Sequence, residues 1–68
     1  MKIHIISSED ACDIVTRPKD SEHGLFLVNH SHLNPPHWIA IDNTTGNAFA
    51  KKFKSKEEAE KWLSDGIV

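Results

Sequence analysis

The sequence predicts a small α+β domain in which two helices pack on a mainly antiparallel sheet, in the order β-α-β-β-β-α. Three observations predict this fold: short runs of β-branched and aromatic residues, two amphipathic segments preceded by serines, and turn residues between the runs. Because the chain has 68 residues, we expect one domain spanning residues 1–68.

The first two elements are a strand and a short helix. Residues 2–6 are rich in isoleucine and predict the strand. The serines at 7 and 8 and the acids that follow are typical of a helix start, since hydroxyl caps and early negative charge stabilise free backbone N–H groups. An apolar stripe then follows at helical spacing, formed by Ala11, Ile14 and Val15. Pro18 limits this helix to about two turns.

Three strands are predicted in the middle of the chain. Residues 24–30 contain the continuous apolar run Leu25-Phe-Leu-Val28, which predicts a strand buried on both faces. Residues 31–36 include two adjacent prolines and predict a loop before a third strand at residues 37–42. A turn at residues 43–46 ends on Gly46, and residues 47–53 form the fourth strand.

Pairing of Asp42 with Asn47 would divide the hairpin into two apolar faces. One face would carry Ile39, Ile41, Ala48 and Ala50, and the other would carry Trp38, Ala40, Phe49, Lys51 and Phe53. We expect the second face to pack against the last helix. The first face is either covered by the first helix or left as a contact surface.

The last element is an amphipathic helix that begins after Ser55. Ser55 and Glu58 have the spacing of a capping box, in which each side chain bonds the other residue's backbone N–H. Ala59, Trp62 and Leu63 form its apolar stripe, and Gly66 is the expected end.

Composition excludes several classes of protein. With 38% apolar residues and a net charge of −2, the chain is expected to fold. Its longest apolar run, residues 25–28, is too short to cross a bilayer, and the opening residues do not resemble a signal segment. The single cysteine, Cys12, excludes an internal disulfide, so we expect a cytoplasmic protein.

We expect no catalytic activity and no cofactor. A domain of this size needs its large apolar residues for the core, which leaves little interior for an enzyme cleft. The three glycines are scattered, so no phosphate-binding loop is present. Cys12 lies beside Asp10 and Asp13, whose charges disfavour a reactive thiolate.

A lysine cluster marks the junction of the fourth strand and the last helix. It consists of Lys51, Lys52, Lys54 and Lys56. Lysines at a helix start favour phosphate binding, and Trp38 would add a stacking surface. The alternative is a solvated rim that protects an edge strand from aggregation.

Two resemblances concern the C-terminal part of the chain. Residues 50–63 resemble the closing strand and helix of the viroplasmin-like hybrid-binding domain of ribonucleases H. That resemblance implies binding of RNA–DNA hybrids or double-stranded RNA through the four lysines. The longer segment, residues 38–63, is similar to the hairpin-plus-helix ending of short uncharacterised bacterial and prophage proteins, which implies an accessory role through protein contact.

Three of the five histidines form a candidate metal site. His30 and His32 are expected on one strand face, and His37 returns after the two prolines. Zinc accepts three histidine ligands. The alternative is that these histidines are exposed or bond backbone carbonyls.

The function expected from the sequence is that of a non-catalytic interaction or regulatory protein that binds a protein partner. The expected contact residues are Trp38, Ile39 and Ile41 with the lysine rim of Lys51, Lys52, Lys54 and Lys56, because an aromatic anchor beside charges suits an interface. Self-association through the same face is a related expectation. The alternative is a nucleic-acid-binding module that uses the Lys51–Lys56 patch.

Overall fold

The structure, a computed structural model, describes residues 3–65 and has the predicted α+β fold. In chain order the elements are β1 (Ile3–Ile6), α1 (Ser8–Thr16), a short 3-10 turn (Pro18–Asp20), β2 (Leu25–His30), β3 (His37–Asp42), β4 (Phe49–Phe53) and α2 (Lys56–Asp65). The predicted order β-α-β-β-β-α is confirmed. Lys2, predicted to open the first strand, and Gly66, predicted to end the last helix, lie outside the described residues.

The four strands form one mixed sheet in the order β1-β2-β3-β4. β1 and β2 are parallel because α1 carries the chain back between them, while β2–β3 and β3–β4 are antiparallel hairpins. The two antiparallel pairings confirm the prediction of a mainly antiparallel sheet. Between residues 3 and 65, no helix is long and apolar enough to span a membrane.

Serine hydroxyls cap both helices, and of the capping box predicted for the last helix the bond accepted by Ser55 is confirmed. The Ser7 hydroxyl accepts a hydrogen bond from the Asp10 N–H at 3.1 Å, and the Ser55 hydroxyl accepts one from the Glu58 N–H at 3.2 Å. The 3-10 turn after α1 begins at Pro18, which is the residue predicted to limit the helix. The proline therefore ends α1 and also opens the next turn.

The β3–β4 register differs from the predicted one by two residues. Asp42 pairs with Phe49, not with Asn47, so β4 begins at Phe49. The loop is longer because the Asn43 side chain accepts a hydrogen bond from the Ala48 N–H at 3.1 Å, which leaves Ala48 at a φ of 51° outside the ladder. A shift of two preserves the face of every side chain, so the predicted division of the strands still holds.

Asn43 joins the β3–β4 loop to the connector that precedes β2. Its side chain is fully buried, and its amide donates to the carbonyls of Pro18 and Glu22, both at 3.0 Å. Its backbone N–H donates to the Gly24 carbonyl at 2.8 Å. The Asn43 side chain therefore provides hydrogen-bond partners for backbone groups of both loops.

The sheet separates two apolar clusters. The buried members on the α2 side are Leu25, Leu27, Ala40, Ala59 and Leu63, with Trp38, Phe53 and Trp62 at the margin. Those on the α1 side are Ile14, Phe26, Val28 and Ile41, with Ile39 and Ala48 among their partly buried neighbours. The predicted packing of the Trp38 face against α2 is confirmed.

The two helices cover different parts of the sheet. α2 packs mainly on β3 and β4, whereas the main strand contact of α1 is with β2. On the α1 side, Ile41 of β3 is buried with Ile14, whereas Ile39 is half-buried and Ala50 of β4 is exposed.

Candidate interaction surface

An apolar groove lies on the α1 side of the sheet, between α1 and β4. Its floor is formed by Val28, Ile39 and Ile41 with Ala50 of β4, and its wall by Ala11 and Val15 of α1. The groove has a volume of about 320 Å³, and Ser8, Cys12 and His30 also line it. Of the two outcomes expected for this face, the structure shows a combination: the first helix covers part of it and leaves the rest open.

The groove contains Ile39 and Ile41, but only one of them is accessible. Ile41 is 1% exposed and belongs to the core, whereas Ile39 is half-buried. Val15, which sequence analysis assigned to the buried stripe of the helix, is 46% exposed beside Ile39 in the groove. Val15 follows Ile14 by one residue, a helical step of about 100°, and this offset was the one available sign that it lies at the edge of the stripe.

Trp38 lies on the opposite side of the sheet. It is half-buried against the α2 cluster, and the Lys56 ammonium lies 5.8 Å from its ring centroid. Trp38 and the Ile39 groove are therefore separated by the thickness of the sheet and do not form one contact patch.

The four lysines of the predicted patch are also divided. Lys51 lies over the Phe53 ring at 5.6 Å, on the α2 side, as does Lys56 on Trp38. Lys52 and Lys54 line a cleft of about 500 Å³ with Pro35, Pro36, His37 and Phe53. The lysines therefore surround the end of β4 from both faces and leave a mainly apolar cleft between two of them.

The histidines form a hydrogen-bonded chain. The Nδ1 atom of His37 lies 3.1 Å from the Pro35 carbonyl oxygen, which can only accept, so this nitrogen carries the proton. The Nε2 atom of His37 therefore accepts from Nδ1 of His30 at 3.0 Å. The remaining Nε2 of His30 accepts from the Ser8 hydroxyl at 2.7 Å. The chain links α1, β2, β3 and the proline loop when both imidazoles are neutral.

Burial disfavours a charge on His30. The pKa of His30 is lowered from its ordinary value, first because part of the ring is removed from water and second because His37 and His32 would repel the charged form. A neutral His30 is the form that the hydrogen-bonded chain requires.

His32 does not join this chain. It lies in the turn after β2, with its ring centroid 6.1 Å from that of His30, so the expectation that both lie on one strand face is wrong. Within residues 3–65, no group of three or more histidine, cysteine, aspartate or glutamate side chains is arranged to hold a metal ion. Of the three histidines proposed as ligands, the structure brings two into contact, and they bond each other.

No known protein family, curated protein or solved structure matches this chain.

The surface offers two kinds of contact, apolar side chains in the groove and the backbone of the edge strand β4. Apolar surface beside a free strand edge is suited to association with another polypeptide.

Proposed function

We propose that this is a non-catalytic interaction protein that binds a protein partner through the groove beside β4. The observation that supports it is the incomplete cover of the α1 side, which leaves Val15 and Ile39 accessible in the groove. Val28 and Ile41 lie in the same floor and are 2% and 1% exposed, so this part of the groove belongs to the core. A preformed apolar surface binds with a smaller loss of conformational entropy than a flexible one.

The partner is a polypeptide that inserts apolar side chains between α1 and β4. Burial of one side chain the size of valine or leucine contributes about 1.5–3 kcal/mol, so each such contact in the groove adds to the affinity.

Site-specific photo-crosslinking tests this proposal. A photoreactive amino acid at position 15 is expected to capture one polypeptide from a native lysate, since Val15 lies in the groove. The matched control carries the same group at Lys61, an exposed position on α2. Equal capture of the same proteins from both positions, or capture from neither, would contradict a docking role for the groove.

Ser8 donates a hydrogen bond to His30, and serine nucleophiles use the same pair of atoms. Ser8 is exposed at the first turn of α1, and Nδ1 of His30 is bonded to His37 and not to a carboxylate that would stabilise a charged imidazole. We assign this bond a structural role, tying α1 to β2. A fluorophosphonate probe, which labels activated serines, is therefore expected to leave Ser8 unmodified; stoichiometric labelling of Ser8 would contradict the non-catalytic proposal.

A nucleic-acid-binding module is the second candidate function. The supporting observation is the cleft in which Lys52 and Lys54 flank Phe53, with no acidic side chain among the described residues that line it. A phosphate backbone along the lysines with a base on the Phe53 ring would use both features. This candidate predicts binding of single-stranded RNA or an RNA–DNA hybrid that weakens as salt rises and is lost in a Lys52→Ala, Lys54→Ala variant. Absence of any binding at low salt would exclude it.

A further inference from the structure

β4 is an open edge of the sheet. It pairs with β3 on one side, and in the part of the chain that the structure describes no strand lies on its other side. All its residues except Phe53 are exposed. Its outward-facing backbone N–H and C=O groups are therefore available to a further strand.

The side chains of β4 place one positive charge on each face. Phe49, Lys51 and Phe53 point to the α2 side, and Ala50 and Lys52 point to the groove side. The two lysines occupy adjacent central positions, and Phe49, which is 49% exposed, lies at one end.

This arrangement disfavours pairing with a second copy of the chain. In an antiparallel β4–β4 pair centred on the strand, either Lys51 would lie opposite Lys51 of the other copy or Lys52 would lie opposite Lys52. Like charges directly opposite each other destabilise a strand pair. Registers that avoid this contact slide the strands apart and lose hydrogen bonds. The same two lysines would attract a strand that carries acidic residues at the central positions.

We propose that the β4 edge binds an extended acidic segment of the protein partner as a fifth strand. Two consecutive acidic residues lie opposite Lys51 and Lys52, one on each face of the sheet, and apolar residues lie opposite Phe49 and Phe53. This inference rests on the proposed function and names the chemistry of the partner at the same surface.

Both faces of the β4 edge continue into apolar surface. On the groove side, Ala50 lines the apolar groove with Ile39 and Val15, so the added strand extends the groove floor. At the end of β4, the cleft of about 500 Å³ between the prolines and Phe53 accepts an apolar side chain of the segment. Lys54 lines this cleft and offers a further positive charge.

The other edge of the sheet, β1, differs in character. Its described residues, Ile3–Ile6, carry no lysine or arginine, and Ile5 is 59% exposed. We therefore expect an acidic strand to bind to β4 and not to β1, so β1 serves as an internal control in the experiment.

A synthetic peptide tests the inference directly. The probe is a fluorescent peptide of sequence Thr-Val-Glu-Glu-Thr-Val-Thr, which in antiparallel register places its glutamates opposite Lys52 and Lys51 and its valines opposite Phe53 and Phe49. We expect saturable binding by fluorescence anisotropy and slowed amide hydrogen exchange in β4 but not in β1. A peptide N-methylated at alternate residues, which removes the donors facing β4, is expected not to bind.

Charge reversal tests whether Lys51 and Lys52 recognise the acidic residues of the peptide. A Lys51→Glu, Lys52→Glu variant is expected to bind the acidic peptide about tenfold more weakly and to gain binding of the matched Thr-Val-Lys-Lys-Thr-Val-Thr peptide, because each opposed charge pair contributes to strand pairing. The control variant Lys19→Glu, Lys61→Glu changes the net charge equally at exposed positions away from β4 and is expected to bind as the original protein does.

Several results would overturn the inference. They are equal binding of acidic and basic peptides, binding that survives N-methylation, and a single-stranded RNA oligonucleotide that binds through Lys51 and Lys52 while the acidic peptide does not. If the acidic peptide fails while crosslinking at position 15 still captures one polypeptide, the acidic-strand inference is wrong and the groove proposal stands. If both fail, the proposed function is wrong as well.

Discussion

His30 and His37 face each other as a cross-strand pair at the ends of β2 and β3, with Nδ1 of His30 3.0 Å from Nε2 of His37. Their rings are nearly perpendicular, at 84°. The Pro35 carbonyl fixes the proton of His37, and Ser8 completes the chain at the other end. This chain of hydrogen bonds therefore requires both imidazoles to be neutral, and protonation of either ring disrupts it.

The first prediction concerns pH. Because the pKa of His30 is lowered in the folded protein from 6.5, the unfolded chain takes up a proton at a higher pH than the folded chain does. Unfolding then binds protons, so stability is complete above about pH 6.5 and falls as the pH decreases towards the folded pKa. A His30→Gln variant is expected to show a flatter dependence of Tm on pH between about 7 and about 5, measured by circular dichroism.

The exposed His23 supplies the control for this experiment. His23→Gln should keep the slope of the original protein. An identical slope in His30→Gln would show that the histidine chain does not contribute to acid sensitivity.

The second prediction concerns Asn43. Asn43→Ala leaves the carbonyls of Pro18 and Glu22 and the N–H of Ala48 without their side-chain partner. We expect a loss of about 2–4 kcal/mol in the free energy of unfolding, measured with urea. Asn47→Ala, which removes an exposed side-chain contact with Thr45, should change stability by less than about 0.5 kcal/mol. A small effect at Asn43 would contradict its assignment as the link between the two loops.

The third prediction concerns the contact of α2 with the sheet. Ala59 of α2 and Ala40 of β3 are both fully buried in one cluster, which indicates that the helix packs close to the strand. Ala59→Leu overfills this space and is expected to cost about 1–3 kcal/mol, despite the greater hydrophobicity of leucine. Glu57→Ala on the exposed side of the helix should be nearly neutral in the same denaturation assay. Stabilisation by Ala59→Leu would reveal unfilled space beneath α2.

The fourth prediction uses two adjacent residues of α1 to separate folding from docking. Ile14 is 6% exposed, and Val15 is 46% exposed in the groove. Ile14→Ala is expected to destabilise the protein by about 2–4 kcal/mol through loss of core contacts. Val15→Lys should alter stability by less than about 0.5 kcal/mol and weaken binding of the polypeptide captured at the groove about tenfold. Retention of that binding in Val15→Lys would place the partner elsewhere.

The candidate site was only partly predictable from the sequence. The alternation of strand residues placed Ile39 and Ile41 on one face and Trp38 on the other, because a period of two requires no tertiary information, although all three were expected to be contact residues. The burial of Ile41 and the exposure of Val15 depend on where α1 crosses the sheet, and helical spacing does not specify that position. Lysine spacing likewise did not reveal that Lys51 and Lys56 lie over aromatic rings.

Local sequence signals predict the number, type and order of the strands and α-helices, but not the 3-10 turn at Pro18–Asp20, since β-branched runs, serine caps and prolines act through local backbone preferences. The sequence also determined which side chains share a strand face, because a register shift of two leaves those faces unchanged. Tertiary structure alone decided the register of β4, through the Asn43 side chain that holds Ala48 out of the ladder. The partial cover of the sheet by α1 also depends on tertiary structure. Packing against β2 sets where the helix lies on the sheet, and the apolar periodicity of the helix does not specify that position.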